Sequence, residues 1–160
     1  MLYSALTQNR NNMKHLITLL GTALLCLGVH AGEHGTPEEA MALVNKAAAY
    51  LIDEGARKTF FEVSNPRGRF VNRDLYISIY DLHGTVMAHG AIPRLVGRNV
   101  SDFRDEDDNY FVREILDKAT KGQHGPVDYK WIHPVSKQLQ AKSAWFRQVG
   151  NYVIICGTYK

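Results

Sequence analysis

The amino-acid sequence predicts an α+β protein, with helices packed on a roughly five-stranded antiparallel sheet. Three observations carry this. Apolar residues Met41, Val44, Ala48, Leu51 and Ile52 recur at helical spacing. The period then switches to two, with Leu75, Ile77 and Ile79 alternating with Tyr76, Ser78 and Tyr80. The strand patterns of the last third are joined by short turns, which connect antiparallel neighbours; parallel strands need long crossovers.

The 160 residues suit one domain. Such a chain buries roughly two-thirds of its unfolded surface and folds without disulfide or metal. Hydrophobic residues make up 45% and charged residues 22%, an ordinary globular balance that excludes wholesale disorder.

The first thirty residues differ in kind. Met13, Lys14 and His15 form a short basic start, Leu16 to Val29 is an uncharged apolar run, and Ala31 follows as a small residue. That order predicts a secretory signal peptide over residues 1–31, cut after Ala31, with the domain over 32–160 and a periplasmic location. The run is shorter than the roughly 20 residues of a spanning helix, and an uncleaved anchor is the alternative. Met1 to Asn12 is polar and reads as an upstream start rather than working chain. Cys26 follows Leu24 and Leu25, not the small residues that precede a lipid-attached cysteine. Cys156 would then be the only mature cysteine, and its apolar run marks it as a buried small hydrophobe. Cleavage also removes Arg10 and Lys14, leaving 17 basic and 16 acidic residues; no basic patch points to nucleic acid.

Thr36-Pro37-Glu38-Glu39 opens the first helix: Thr36 caps, Pro37 suits the first turn and Glu39 completes a capping box. Gly55 is expected to break it, with a second short helix over Ala56 to Val63 carrying Phe60 and Phe61 inward. Asn65 to Gly68 is a turn cluster. The hairpin that follows turns at Asp81 to Gly84 and returns over Thr85 to His89. Gly90 to Asn109 is irregular and acidic towards its end. Tyr110 to Thr120 shows helical spacing through Phe111, Ile115 and Ala119. Strands are expected over Val127 to Ile132, Gln140 to Gln148 and Tyr152 to Tyr159, the last two joined at Gly150-Asn151.

No phosphate loop, nucleophile elbow or paired-cysteine motif occurs, so binding is expected rather than catalysis. His34, His83, His89, His124 and His133 show no zinc-helix spacing; His89 stands out because it ends a strand before an irregular loop. Asp105 to Asn109 resembles the start of a calcium loop but has Tyr110 at the sixth position and Leu116 at the twelfth. It reads as a solvated loop, with Asp107 or Asp108 as helix caps. The strands carry polar aromatics, Tyr76, Tyr80, Tyr129, Trp131 and Trp145, whose apolar bodies and hydrogen-bonding tips suit a partly wet pocket. Lys142 lies among Ala141, Ser143 and Ala144 in a strand, where its ammonium could enter a cavity and pair with a carboxylate. A metal binder using His89, His133 and acidic residues stays open as a further reading.

Asp74 to His89 resembles the central hairpin of single Cache domains, type 2. Leu95 to Asn99, Val127 to Trp131, Pro134, Lys142-Ser143 and Gly157 to Lys160 agree with that family in order. The resemblance covers about Thr36 to Lys160. It implies a PAS-like fold, a long N-terminal helix along an antiparallel sheet, and extracytoplasmic sensing of small molecules, often short organic acids. Carried over, it implies a pocket lined by Tyr76, Tyr80, His89, Tyr129, Trp131 and Lys142, with Arg94 contributed from the loop, and no cofactor. Family members usually feed a receptor or kinase, whereas this chain stops after its last strand. A membrane receptor or kinase partner and a homodimer through the N-terminal helix are therefore expected. The alternative is a partner-binding accessory protein with a vestigial pocket.

Overall fold

In a computed structural model of the protein, residues 34–160 are described; the segment expected to be a signal peptide, with Cys26 and the expected cleavage point, lies outside them. Helix α1 spans Pro37–Val63. Its predicted capping box forms: the Glu39 amide donates to Thr36 Oγ1 at 3.2 Å, and the Thr36 amide donates to Glu39 Oε2 at 2.9 Å. Gly55 kinks the helix rather than ending it. Its φ of 79° and ψ of 168° lie in a region open essentially only to glycine, and helix resumes beyond it. Phe60 packs edge-on against Tyr152, as expected of an inward residue. Phe61 does not; it is 78% exposed. Consecutive helical residues point about 100° apart, so only one of the pair can face the sheet. The same geometry leaves Ile52 exposed beside buried Leu51.

Strands β1 (Val71–Asn72), β2 (Leu75–Asp81), β3 (Val86–His89), β4 (Val127–Ile132), β5 (Leu139–Val149) and β6 (Tyr152–Tyr159) form one antiparallel sheet. The order is β1-β2-β6-β5-β4, with β3 paired to β2. The two-residue β1 is the addition to the five expected strands; it is too short to show a period. A 3-10 turn, Pro93–Leu95, and helix α2, Phe111–Thr120, complete the fold.

The sheet is the middle of three layers. On one face, Val44, Ala48 and Leu51 of α1 pack on Leu75, Ile77, Ile79, Ile154 and Cys156. On the other, Phe111, Val112 and Ile115 of α2 pack with Val127, Phe146, Val153 and Ile155. Among the described residues, both cores draw on positions between Ala40 and Cys156. The β2 alternation is thereby explained: its aliphatic residues lie under α1, and Tyr76, Ser78 and Tyr80 face the other way.

The start of α2 differs from expectation. Neither Asp107 nor Asp108 caps it; Tyr110 takes the N-cap position without a side-chain bond. The acids are engaged elsewhere. Asp105 accepts from the amides of Asp107, Asn109 and Lys130, and Lys130 Nζ pairs with Glu106 and Asp107. The loop thus satisfies its carboxylates internally, consistent with its failure to match a calcium loop.

Candidate functional site

Strands β2, β3, β4, β5 and β6, with the start of α2, enclose a cavity of about 10 Å³ lined by Tyr76, Ser78, Tyr80, His89, Phe111, Tyr129, Trp131, Lys142, Ile155 and Gly157. That volume sits near the threshold for a single water. Six of the seven residues expected from the sequence meet here. Arg94 does not line it. It is exposed on the 3-10 turn and borders a separate surface groove with Ile132 and Lys137.

Lys142 is the centre of the site and is 3% exposed. Its Nζ donates to Tyr76 Oη at 2.7 Å and Tyr159 Oη at 3.1 Å. Tyr159 in turn donates to the Ile132 carbonyl at 3.0 Å, so its hydroxyl is oriented to accept from the lysine. No carboxylate pairs with Lys142 among the described residues. Burial pushes its pKa down to about 7, against a small opposing pull from Cys156 and Asp74. Gly157 makes the arrangement possible: a Cβ there would fall 1.8 Å from Lys142 Cε.

His89 stacks on Tyr76, with ring centroids 5.1 Å apart. Its Nδ1 accepts from the amides of Ala91 at 3.2 Å and Ile92 at 3.0 Å. That lone pair is therefore occupied, and the neutral ring carries its proton on Nε2 as a donor. Burial, reinforced by the Lys142 charge, holds its pKa down to about 3, so the ring is neutral at physiological pH. Tyr80 is pushed up to about 12 by burial, and Tyr76 and Tyr129 are also raised by burial. All three phenols remain protonated donors. Opposite this polar wall, Tyr129 stacks on Phe111 at 4.1 Å, and Trp131 meets Phe111 edge-on at 5.4 Å. Half-buried Tyr129 and Trp131 stand on β4, an edge strand of the sheet.

Tyr159, Ser78, Phe111, Ile155 and Gly157 were not expected from the sequence. Tyr159 had a signal: residues equidistant from the Gly150-Asn151 turn pair, which sets Lys142 opposite Tyr159 and Ala144 opposite Gly157.

A second polar cluster lies close by. Asp74, 1% exposed, accepts from the Gly35 amide at 2.9 Å and meets His34 Nδ1 at 3.2 Å, with His133 Nε2 at 3.7 Å. The three side chains could converge on a cation. However, His133 Nδ1 accepts from the amides of Val135 and Ser136 at 3.3 and 3.0 Å. The neutral ring then carries its proton on Nε2, facing Asp74, whereas a metal-binding ring presents a lone pair there and donates from its other nitrogen. His89 has the same amide pattern. His89 and His133 are thus oriented as proton donors, and the metal reading finds neither lone pair it needs.

A Cache domain family profile matches residues 40–160. The chain belongs to the Cache domain family. It is 28% identical over 116 residues to the methyl-accepting chemotaxis protein McpP of Pseudomonas putida, a match covering 71% of this chain and 21% of that receptor. The chain thus spans about a fifth of that relative's length. Among solved structures, a methyl-accepting chemotaxis protein from Vibrio parahaemolyticus superimposes with a TM-score of 0.67 at 17% identity, covering 97% of this chain and 96% of that one. A Cache chemosensory domain described for its carboxylic acid recognition superimposes with a TM-score of 0.66 at 20% identity, covering 76% and 91%. These likenesses confirm the expected PAS-like fold, a helix along an antiparallel sheet. Cache domains are extracytoplasmic sensor domains of chemoreceptors, and membership of the family is consistent with ligand sensing. No described helix is long and apolar enough to cross a membrane.

Proposed function

We propose that this Cache domain binds a short organic acid in the cavity around Lys142, outside the cytoplasm, and that the bound state is read by a membrane receptor or kinase. The carrying observation is a buried ammonium whose hydrogen bonds go only to phenols. A buried charge without a counter-charge is costly, and a carboxylate entering beside it supplies the missing partner. Tyr76, Tyr80 and His89 Nε2 are the donors for its oxygens, while Phe111, Tyr129 and Trp131 enclose a short apolar tail. The likeness to a domain described for carboxylic acid recognition supports this reading.

A short carboxylate is larger than the cavity. Entry requires Tyr129 and Trp131 to swing outward from edge strand β4, and shape selection should favour the smallest acids. We assign Arg94 no direct contact. The domain is proposed as residues 32–160, released to the periplasm by the leader over 1–31, without a cofactor and pairing through α1. The small volume also favours a second reading, an accessory protein whose pocket no longer binds. A thermal-shift screen of residues 32–160 against two- to four-carbon acids separates the two. Ligand at a hundredfold excess over Kd adds about 2.7 kcal/mol to stability, whereas a vestigial pocket gives no shift with any acid.

A further inference from the structure

We infer that the tip of the β4–β5 hairpin and the adjacent 3-10 turn form a docking surface for an anionic phospholipid bilayer. The observations begin with where apolar surface is exposed. Among the described residues, four of the six large exposed hydrophobics fall in these two neighbouring loops: Ile132, Val135 and Leu139 on the hairpin, and Val96 after the turn. Val135, at the tip, is 68% exposed. Ile132 pairs with Leu139 across the hairpin and borders a groove of about 420 Å³ lined by Ala91, Ile92, Pro93, Arg94, Ile132 and Lys137.

The two loops carry cations and no acid of their own, and the nearby acids Glu106 and Asp107 are engaged by Lys130, two residues before Ile132. No acidic residue occurs between Leu82 and Ser101 or after Asp128. Exposed Arg94, Arg98 and Lys137 are the charged side chains these two loops present to solvent. Asp74 lies beneath the hairpin but is buried and engaged by Gly35 and His34. Apolar side chains ringed by cations suit the headgroup–acyl boundary of an anionic leaflet, where the cations meet phosphates and the apolar tips enter.

The test is co-sedimentation of residues 32–160 with vesicles of equal parts phosphatidylglycerol and phosphatidylcholine, against vesicles of phosphatidylcholine alone. Binding is expected on the anionic vesicles and to fall with added salt. Each cation near such a surface strengthens partition about fivefold, so Arg94→Ala with Lys137→Ala should weaken it roughly twenty-five-fold. Val135→Asp should weaken it as well. Phe61→Asp, at an exposed apolar site on α1, should leave it unchanged. All variants are surface changes whose folding is checked by an unaltered thermal midpoint. Equal binding to both vesicle types, or wild-type binding by the Arg94/Lys137 pair, overturns the inference, as does binding to an acidic polypeptide but not to vesicles. Because Lys142 is untouched throughout, these outcomes are independent of the organic-acid proposal.

Discussion

At the scale of single residues, Lys142 carries the account. Its burial was legible because Ala141, Ser143 and Ala144 leave room around it; what it touches was not, since Tyr76 and Tyr159 are 66 and 17 residues away. Replacing it by methionine keeps the stem and removes the charge. A charge-assisted contact contributes about 1.5–3 kcal/mol, so titration calorimetry of Lys142→Met should show short-acid affinity reduced roughly ten- to a hundredfold. The pH dependence has a definite sign. The amine is half charged near pH 7, so carboxylate affinity should weaken as pH rises through 7 and strengthen below it. The unliganded protein responds oppositely. Its unfolded chain holds the lysine proton up to about pH 10.4, the folded one only to about 7, so this group makes stability rise with pH across that window. His89 adds a lower window. The unfolded imidazole takes its proton near pH 6.5 and the folded one near 3, so stability should decline as pH falls from 6.5. Denaturant midpoints across pH read both trends, and His89→Gln should flatten the lower one. Arg94 shows the limit of matching loop positions: a sequence position cannot say on which side of a 3-10 turn a side chain leaves.

At the scale of elements, periodicity placed the strands well because both sheet faces are covered and each face demands its own residues. The β4 and β6 spans match expectation, and β5 is one residue longer at each end. Turn chemistry was equally readable. Asp81 Oδ1 accepts from the His83 and Thr85 amides, and Gly84 supplies a φ of 86°. What failed was choice among neighbours: which of two phenylalanines faces inward, and which aspartate the loop uses. Composition gave several acids, and only the closed loop selects Asp105. Two substitutions test the elements. Gly157→Ala, by placing a methyl against the Lys142 stem, should displace the amine and lower both acid affinity and thermal stability, whereas Gly150→Ala at the exposed turn meets no nearby atoms and should spare affinity. Thr36→Ala removes the helix cap and should cost about 1 kcal/mol in chemical denaturation without altering ligand affinity.

At the scale of the whole molecule, a layered design separates duties. The α1 face of the sheet is aliphatic and closed, and the opposite face holds both a second core and the polar site. The site is therefore built on strands fixed from behind, with β3 and β4 each at an edge of the sheet. The family likeness and the sequence agree on this architecture, because a long capped helix followed by a two-residue period is what a helix laid along a buried sheet requires. The ligand itself was not legible, since strand periodicity carries no information on the size and shape of the cavity between the strands. The most direct measurement is isothermal titration of residues 32–160, wild type and Lys142→Met, with acetate and its three- and four-carbon homologues. The account predicts saturable one-site binding by at least one of these acids in the wild type, lost or strongly weakened in the variant. Wild-type affinity retained by a folded Lys142→Met protein, or no binding of any acid by the wild type, would contradict it.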